Sequence, residues 1–189
     1  MAPSFGGGQN MPELARRDSG DARSARRTWR ALRTLVVGLL LIALHRHVFH
    51  FSIVRGSSMN PTFVDDERIF VERLSLLLGE PVDRGAIVVF ACPTNPELDF
   101  VKRVIGLPGD EVRLERGQLY VNGELASEDY ALADLSDRRS WRVPSEHVFV
   151  LGDNRPRSCD SRSFDCVPLA SLRGRVCARV WPWERLAAF

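Results

Sequence analysis

Glu111-Val112-Arg113-Leu114-Glu115-Arg116-Gly117-Gln118-Leu119-Tyr120-Val121-Asn122-Gly123 is the stretch whose reading decides the fold class. Glu111 to Glu115 and Gln118 to Val121 are two short strand-like runs. Asn122-Gly123 closes the second run with the residue pair that best tolerates the positive φ angles of a tight hairpin turn, and Arg116-Gly117 offers another turn before it. Strands joined by turns this tight pair antiparallel, since a parallel connection needs a dozen or more residues.

Working outward, the same pattern recurs in Arg68 to Glu72, Ala86 to Ala91, Phe100 to Gly106, His147 to Gly152 and Arg175 to Val180, punctuated by Gly, Pro and Asp. These runs predict a mostly β, antiparallel domain over 55–189. Residues 124–146, rich in charge through Glu128, Asp129, Asp134, Asp137, Arg138 and Arg139, read as a solvated excursion between two halves of the sheet. A length of 189 residues, 44% apolar and 26% charged, suits one modest domain with a sizeable core.

The N-terminal part reads differently. Residues 1–28 contain Gly6-Gly7-Gly8 and have no apolar periodicity, which predicts a disordered arm. Thr34 to Leu44 is uncharged and almost wholly aliphatic, and Val48, Phe49, Phe51, Ile53 and Val54 resume the pattern after His45, Arg46 and His47. Thr34 to Val54 together approach the roughly 20 residues of a spanning helix, with Arg46 snorkelling or at the outer interface. Arg23, Arg26, Arg27, Arg30 and Arg33 precede it, so the positive-inside rule keeps the N-terminus cytoplasmic. The expectation is one transmembrane anchor at 29–54, with the β domain outside the cytoplasmic membrane. A cleaved secretory signal has the same polarity, and a buried helix is the third reading.

The net charge of +2 hides an asymmetry, with the basic excess confined to residues 1–33. A nucleic-acid-binding face on the main body is therefore not expected. Cys92, Cys159, Cys166 and Cys177 lack zinc-ligand spacing, and Gly6-Gly7-Gly8 lacks the strand and helix of a phosphate cradle, so neither metal nor cofactor is implied.

Lys102 is the single lysine among 26 basic residues. Arginine does not lose its proton in a protein, so any chemistry needing a neutral side-chain amine falls to Lys102. It lies in the apolar run Phe100 to Gly106, on the same strand face as Val104, where burial would lower its pKa. Service as a base near neutrality requires a fall from about 10.4 to roughly 7 to 8, or about 3 to 5 kcal/mol. A protective charge on an edge strand is the plainer role for a lone strand lysine. His147 is the sole histidine in the body of the domain and reads as structural. Arg55-Gly56-Ser57-Ser58-Met59-Asn60-Pro61-Thr62 supplies hydroxyls in a Gly-containing turn, where a serine paired with a neutral lysine could act as a nucleophile.

Three ordered segments resemble one family, the bacterial type I signal peptidases, which are membrane-anchored Ser/Lys proteases. Ser58-Met59-Asn60-Pro61-Thr62 resembles the nucleophile box, Lys102 through Asp110 the lysine box, and Gly152-Asp153-Asn154-Arg155 through Ser158, Asp160, Ser161 and Arg162 the third box. The likeness runs from about Thr34 to Trp181. It implies Ser58 as nucleophile and Lys102 as general base, with Ser158 hydrogen-bonding the Lys102 amine and Asp160 paired with Arg162. Asp153, Asn154 and Arg155 are implied as shape-holding. The Ser58 backbone N–H and the Gly56 region are implied at the oxyanion, and Val54, Met59 and Val101 in shallow substrate pockets. Partners implied are secretory preproteins with small residues before the cut, and the lipid bilayer.

Two positions depart from the pattern. Gly56 stands where some members carry a hydroxyl, and Asp165 where the family usually has Gly. A disulfide between Cys159 and Cys166 could replace that missing Gly as a turn constraint on the oxidising side of a membrane. A peptidase dedicated to one substrate, a self-cleaving repressor and a non-catalytic binding module remain as alternatives; an Arg-rich arm in place of a DNA-binding helix-turn-helix argues against the repressor.

Overall fold

The computed structural model describes residues 27–42, 48–131 and 138–189. The expected arm lies almost wholly outside these, as do His45, Arg46, His47 and the middle of the excursion. Two compact units divide between Arg46 and His47.

In the first unit residues 27–42 are helical. The expected anchor is not what forms. Among the described residues no helix is long and apolar enough to cross a membrane, which overturns both the transmembrane helix of the expected fold and the single-pass location inferred from it. The physical reason lies in the second apolar run. Phe49–Ile53 is a strand, β1, and pairs antiparallel with Arg68–Glu72, β2, from Phe49 opposite Glu72 to Ile53 opposite Arg68. Residues counted toward a spanning helix satisfy their backbone groups in a sheet instead.

The second unit is mostly β, as expected. Beyond β1 and β2 come β3 (Ile87–Cys92), β4 (Asn95–Gly106), β5 (Glu111–Glu115), β6 (Gln118–Val121), β7 (Glu124–Leu125), β8 (Arg139–Arg142), β9 (His147–Leu151), β10 (Val167–Pro168), β11 (Leu172–Trp181) and β12 (Ala187–Ala188). One sheet runs β1-β2-β11-β3-β4-β9-β10 with β12 on β11, and a second runs β7-β6-β5-β8. Both turns of the opening stretch form as the sequence predicts. Arg116 and Gly117 have φ of 51° and 78°, Asn122 and Gly123 of 53° and 85°, the left-handed pairs a two-residue hairpin needs.

Three buried clusters hold the sheets together. Val54, Met59, Phe63, Ile69, Val71, Ile87, Val89 and Val176 pack on one face of the large sheet. Val88, Phe90, Val104, Val148, Val150 and Val167 fill the other. Ile105, Val112, Leu114, Leu119, Val143, Phe149 and Leu151 join the small sheet to the end of β4 and to β9. β4 contributes to all three, because both faces of a central strand are covered.

The excursion is less solvated than its charge suggests. β7 and β8 lie within it, Arg155 pairs with Glu128, and Tyr130 lies under the Arg103 guanidinium at 4.0 Å. At the C-terminus Phe189 packs edge-on against the buried Phe63 at 4.9 Å, while Trp181 and Trp183 form an exposed pair.

Candidate active site

β4 carries Lys102 through the middle of the large sheet, opposite Val88 on β3. The residue is only 3% exposed. Its Nζ lies 2.8 Å from Ser58 Oγ and donates to the Val101 carbonyl at 2.9 Å. The Phe100 ring stands 5.1 Å from the amine. Burial drives its pKa from 10.5 down to about 8, with Asp160 foremost among the groups opposing the fall. Burial of this depth makes a neutral amine accessible near physiological pH.

Ser58 lies in the turn between β1 and β2. Gly56 enters it with φ of 88°, a conformation that favours glycine. The Gly56 N–H donates to Asp65 Oδ1 at 2.6 Å. Within the turn the Asn60 N–H donates to the Ser57 carbonyl at 3.2 Å and the Phe63 N–H to that of Met59 at 2.8 Å.

The loop after β9 fastens this turn from outside. Asn154 donates its backbone N–H to the Ser58 carbonyl and its Nδ2 to the Ser57 carbonyl, both at 3.0 Å. Asp153, fully buried, accepts from Thr62 Oγ1 at 2.5 Å and from Arg103 Nε and Nη2 at 3.0 and 2.7 Å. Thr62, Arg103 and Asp153 each come from a different sequence box, and one carboxylate ties the three together. The sequence suggests no role for Thr62 or Arg103, since a clasp across this much intervening chain leaves no local pattern.

Asp160 organises the same loop from within. It accepts from the Gly152 N–H at 3.0 Å and from Arg162 Nε and Nη2 at 2.8 and 2.9 Å, the expected ion pair. Arg162 Nη2 also reaches the Arg155 carbonyl at 2.7 Å, and Arg155 Nε donates to the Gly152 carbonyl at 3.0 Å. Gly152 has a role of its own that the sequence does not signal. A Cβ there would meet Ser158 Oγ at 2.2 Å and the Ser58 carbonyl oxygen at 2.5 Å, so only glycine lets this loop lie against the Ser58 turn.

Two expectations need correction. Ser158 Oγ is buried without a hydrogen-bond partner, so it does not bond the Lys102 amine, which is directed to Ser58 and Val101 instead. Cys159 and Cys166 are free thiols. Cys159 lies on the cleft wall while Cys166 packs against the cluster around Ile105 and Phe149, so their side chains occupy different environments. Asp165 has φ of 70° without the bridge, a left-handed position that accounts for glycine's usual place there. His147 hydrogen-bonds the Ser145 carbonyl at 2.8 Å, away from the pair.

A cleft of about 430 Å³ opens beside Ser58 and Lys102, and Val54, Met59 and Val101 all line it. Among the described residues no His, Cys, Asp and Glu cluster could hold a metal ion. A serine hydroxyl in contact with a buried amine, beside an open and largely apolar cleft, has the parts of a serine hydrolase whose base is a lysine.

Comparison with known proteins narrows that class. The model of the family described as signal peptidase, peptidase S26, matches residues 27–181. The chain is 40% identical over 168 residues to the probable signal peptidase I-2 of a Synechocystis strain, covering 84% of this chain and 76% of that protein. It is 36% identical over 165 residues to the signal peptidase I of Bacillus caldolyticus, covering 78% and 88%. A crystal structure of a signal peptidase I from Enterococcus faecalis overlays with a TM-score of 0.43 at 35% identity, over 51% of this chain and 97% of that one. The chain belongs to the signal peptidase family, peptidase S26.

Proposed function

We propose that Ser58 and Lys102 are the reacting pair of a serine endopeptidase that removes signal peptides from exported preproteins, cutting after small residues. Family membership makes the chain a serine-type signal peptidase. The observation that carries the assignment of residues is the 2.8 Å contact between a hydroxyl and an amine held near pKa 8 by burial.

The neutral Lys102 amine takes the Ser58 proton as Oγ attacks the scissile carbonyl, and the resulting ammonium gives a proton to the leaving amine as the C–N bond breaks. A water molecule, deprotonated by the same amine, then opens the acyl-enzyme and returns Ser58. The Ser58 backbone N–H is the oxyanion donor, since the Gly56 N–H is committed to Asp65. Val54, Met59 and Val101 line a shallow apolar surface that suits small side chains before the cut. A substrate lying there as an added strand gains affinity from main-chain bonds, and its alternate side chains are read by the pockets. Asp153, Asn154, Arg155, Asp160 and Arg162 keep the Ser58 turn and the loop beside it in place.

The test is cleavage of a preprotein with Ala at the first and third positions before the cut by wild type, Ser58→Ala and Lys102→Arg. Lys102→Arg keeps the charge and removes only the ability to lose it. Wild-type cleavage lost in both variants is the expected result; activity surviving Lys102→Arg would place the base elsewhere.

A further inference from the structure

We propose that Arg157 selects substrates carrying an acidic side chain near the cut, an inference that rests on Ser58 and Lys102 being the reacting pair. Besides the Cys159 thiol, the cleft wall bears four basic or acidic side chains, Arg55, Asp99, Lys102 and Arg157. Three are accounted for. Arg55 pairs with Asp66, Asp99 pairs with Arg173 at 3.0 Å, and Lys102 is directed to Ser58. Arg157 is exposed, and among the described residues its guanidinium has no ion-pair or hydrogen-bond partner.

Its backbone, by contrast, is fixed. Arg157 ends the short 3₁₀ turn Arg155–Arg157 and donates its N–H to the Asn154 carbonyl at 3.0 Å. Asn154 in turn holds the carbonyls of Ser57 and Ser58. An uncompensated cation is thus mounted two hydrogen bonds away from the Ser58 turn, with its side chain free to meet a ligand. The neighbouring wall is apolar through Ile53, Val54, Met59, Leu98, Phe100 and Val101, which lowers the local dielectric and strengthens a charge contact. A guanidinium presents a planar fork of donors that a carboxylate accepts in pairs. An Asp or Glu side chain of the bound chain fits this chemistry, while Lys or Arg at the same place meets repulsion.

The experiment uses peptides with Ala at the first and third positions before the cut and Asp, Asn or Lys placed in turn at every other position within four residues of it. Cleavage is compared in wild type, Arg157→Gln and Arg157→Glu at low and high salt. The readout is the ratio of kcat/KM for Asp over Asn at each position, which cancels any general loss of activity. The expected ratio at one position is roughly three- to tenfold in wild type, as for a partly exposed charge pair. It falls to unity in Arg157→Gln, inverts in Arg157→Glu and shrinks with salt. Equal rates for Asp and Asn at every position, or a preference that persists in Arg157→Glu, overturn the inference. Failure of the Ser58 and Lys102 reading looks different: the all-neutral peptide goes uncut by wild type or is still cut by Lys102→Arg.

Discussion

Asn154 grips the chain at Ser58 with two donors, its backbone N–H on the Ser58 carbonyl and its side-chain Nδ2 on the Ser57 carbonyl, each at 3.0 Å. The turn bearing Ser58 is therefore set by a loop that lies almost a hundred residues later. Asn154→Ala removes one grip and leaves the Ser57 carbonyl with the Asn60 N–H alone, while Asn154→Asp sets a carboxylate oxygen against that carbonyl. We expect kcat to fall about tenfold in the first variant and further in the second, with KM little changed, because a displaced nucleophile loses alignment more than binding. Equal kcat in the wild type and both variants would show that the turn holds itself.

Burial of Lys102 makes both rate and stability rise with pH, over adjoining windows. Its folded pKa of about 8 lies below the unfolded value, so only about a tenth of the amine is neutral at pH 7 and kcat/KM should climb through an acid limb near pH 8. The unfolded chain binds the proton more tightly between pH 8 and about 10.4, so stability rises with pH across that window. Below pH 8 the burial penalty is present in full. Lys102→Met should be inactive yet more stable than wild type at pH 7, by up to about 3 kcal/mol, with the gap closing toward pH 10. Urea unfolding at both pH values reads this directly, and a gap that widened with pH would contradict the sign.

Gly152→Ala tests the fit between the two loops. The added methyl would overlap both Ser158 Oγ and the Ser58 carbonyl oxygen. The side chain could turn aside, but the backbone oxygen could move only with Ser58 itself. Activity should drop at least a hundredfold, by analogy with misplacement of about 1 Å, and Ser158→Gly in the same chain should not restore it. Recovery in that double variant would mean that Ser158 alone makes the fit tight.

The C-terminal residues are tied to the Ser58 turn through Glu67, which is 3% exposed. Arg179 reaches its Oε2 at 3.4 Å, and Arg185 lies 2.9 Å from Oε1 in ion-pair rather than hydrogen-bond geometry. Arg179 also donates to the Thr62 carbonyl and Arg185 to that of Pro61. Glu67→Ala leaves the half-buried Arg179 without its carboxylate, only the Thr62 and Arg185 carbonyls remaining, so a loss of about 1 to 3 kcal/mol is expected. Thermal unfolding checks it; an unchanged midpoint would mean that Arg179 finds another acceptor.

Ser58 and Lys102 are legible as candidates in the chain itself because each lies in a contiguous motif, and a single lysine narrows the choice of amine. The hairpins are legible too, since Arg116-Gly117 and Asn122-Gly123 carry their backbone preference locally. Phe49–Ile53 is not: five apolar-leaning residues suit a helix that continues the preceding run or a strand, and pairing with β2 decides between them. Arg103, Thr62 and Gly152 acquire their roles only when three separated segments meet on Asp153 and at the Ser58 turn. The free thiols of Cys159 and Cys166 and the unpartnered Ser158 hydroxyl are equally out of reach, because spacing along the chain does not say which way side chains face. The available chemistry and the local turns thus follow from neighbouring residues and can be read directly from their order. Which groups touch, how deeply Lys102 is buried and which apolar run joins the sheet follow only from folding, because they depend on contacts between residues far apart in the chain.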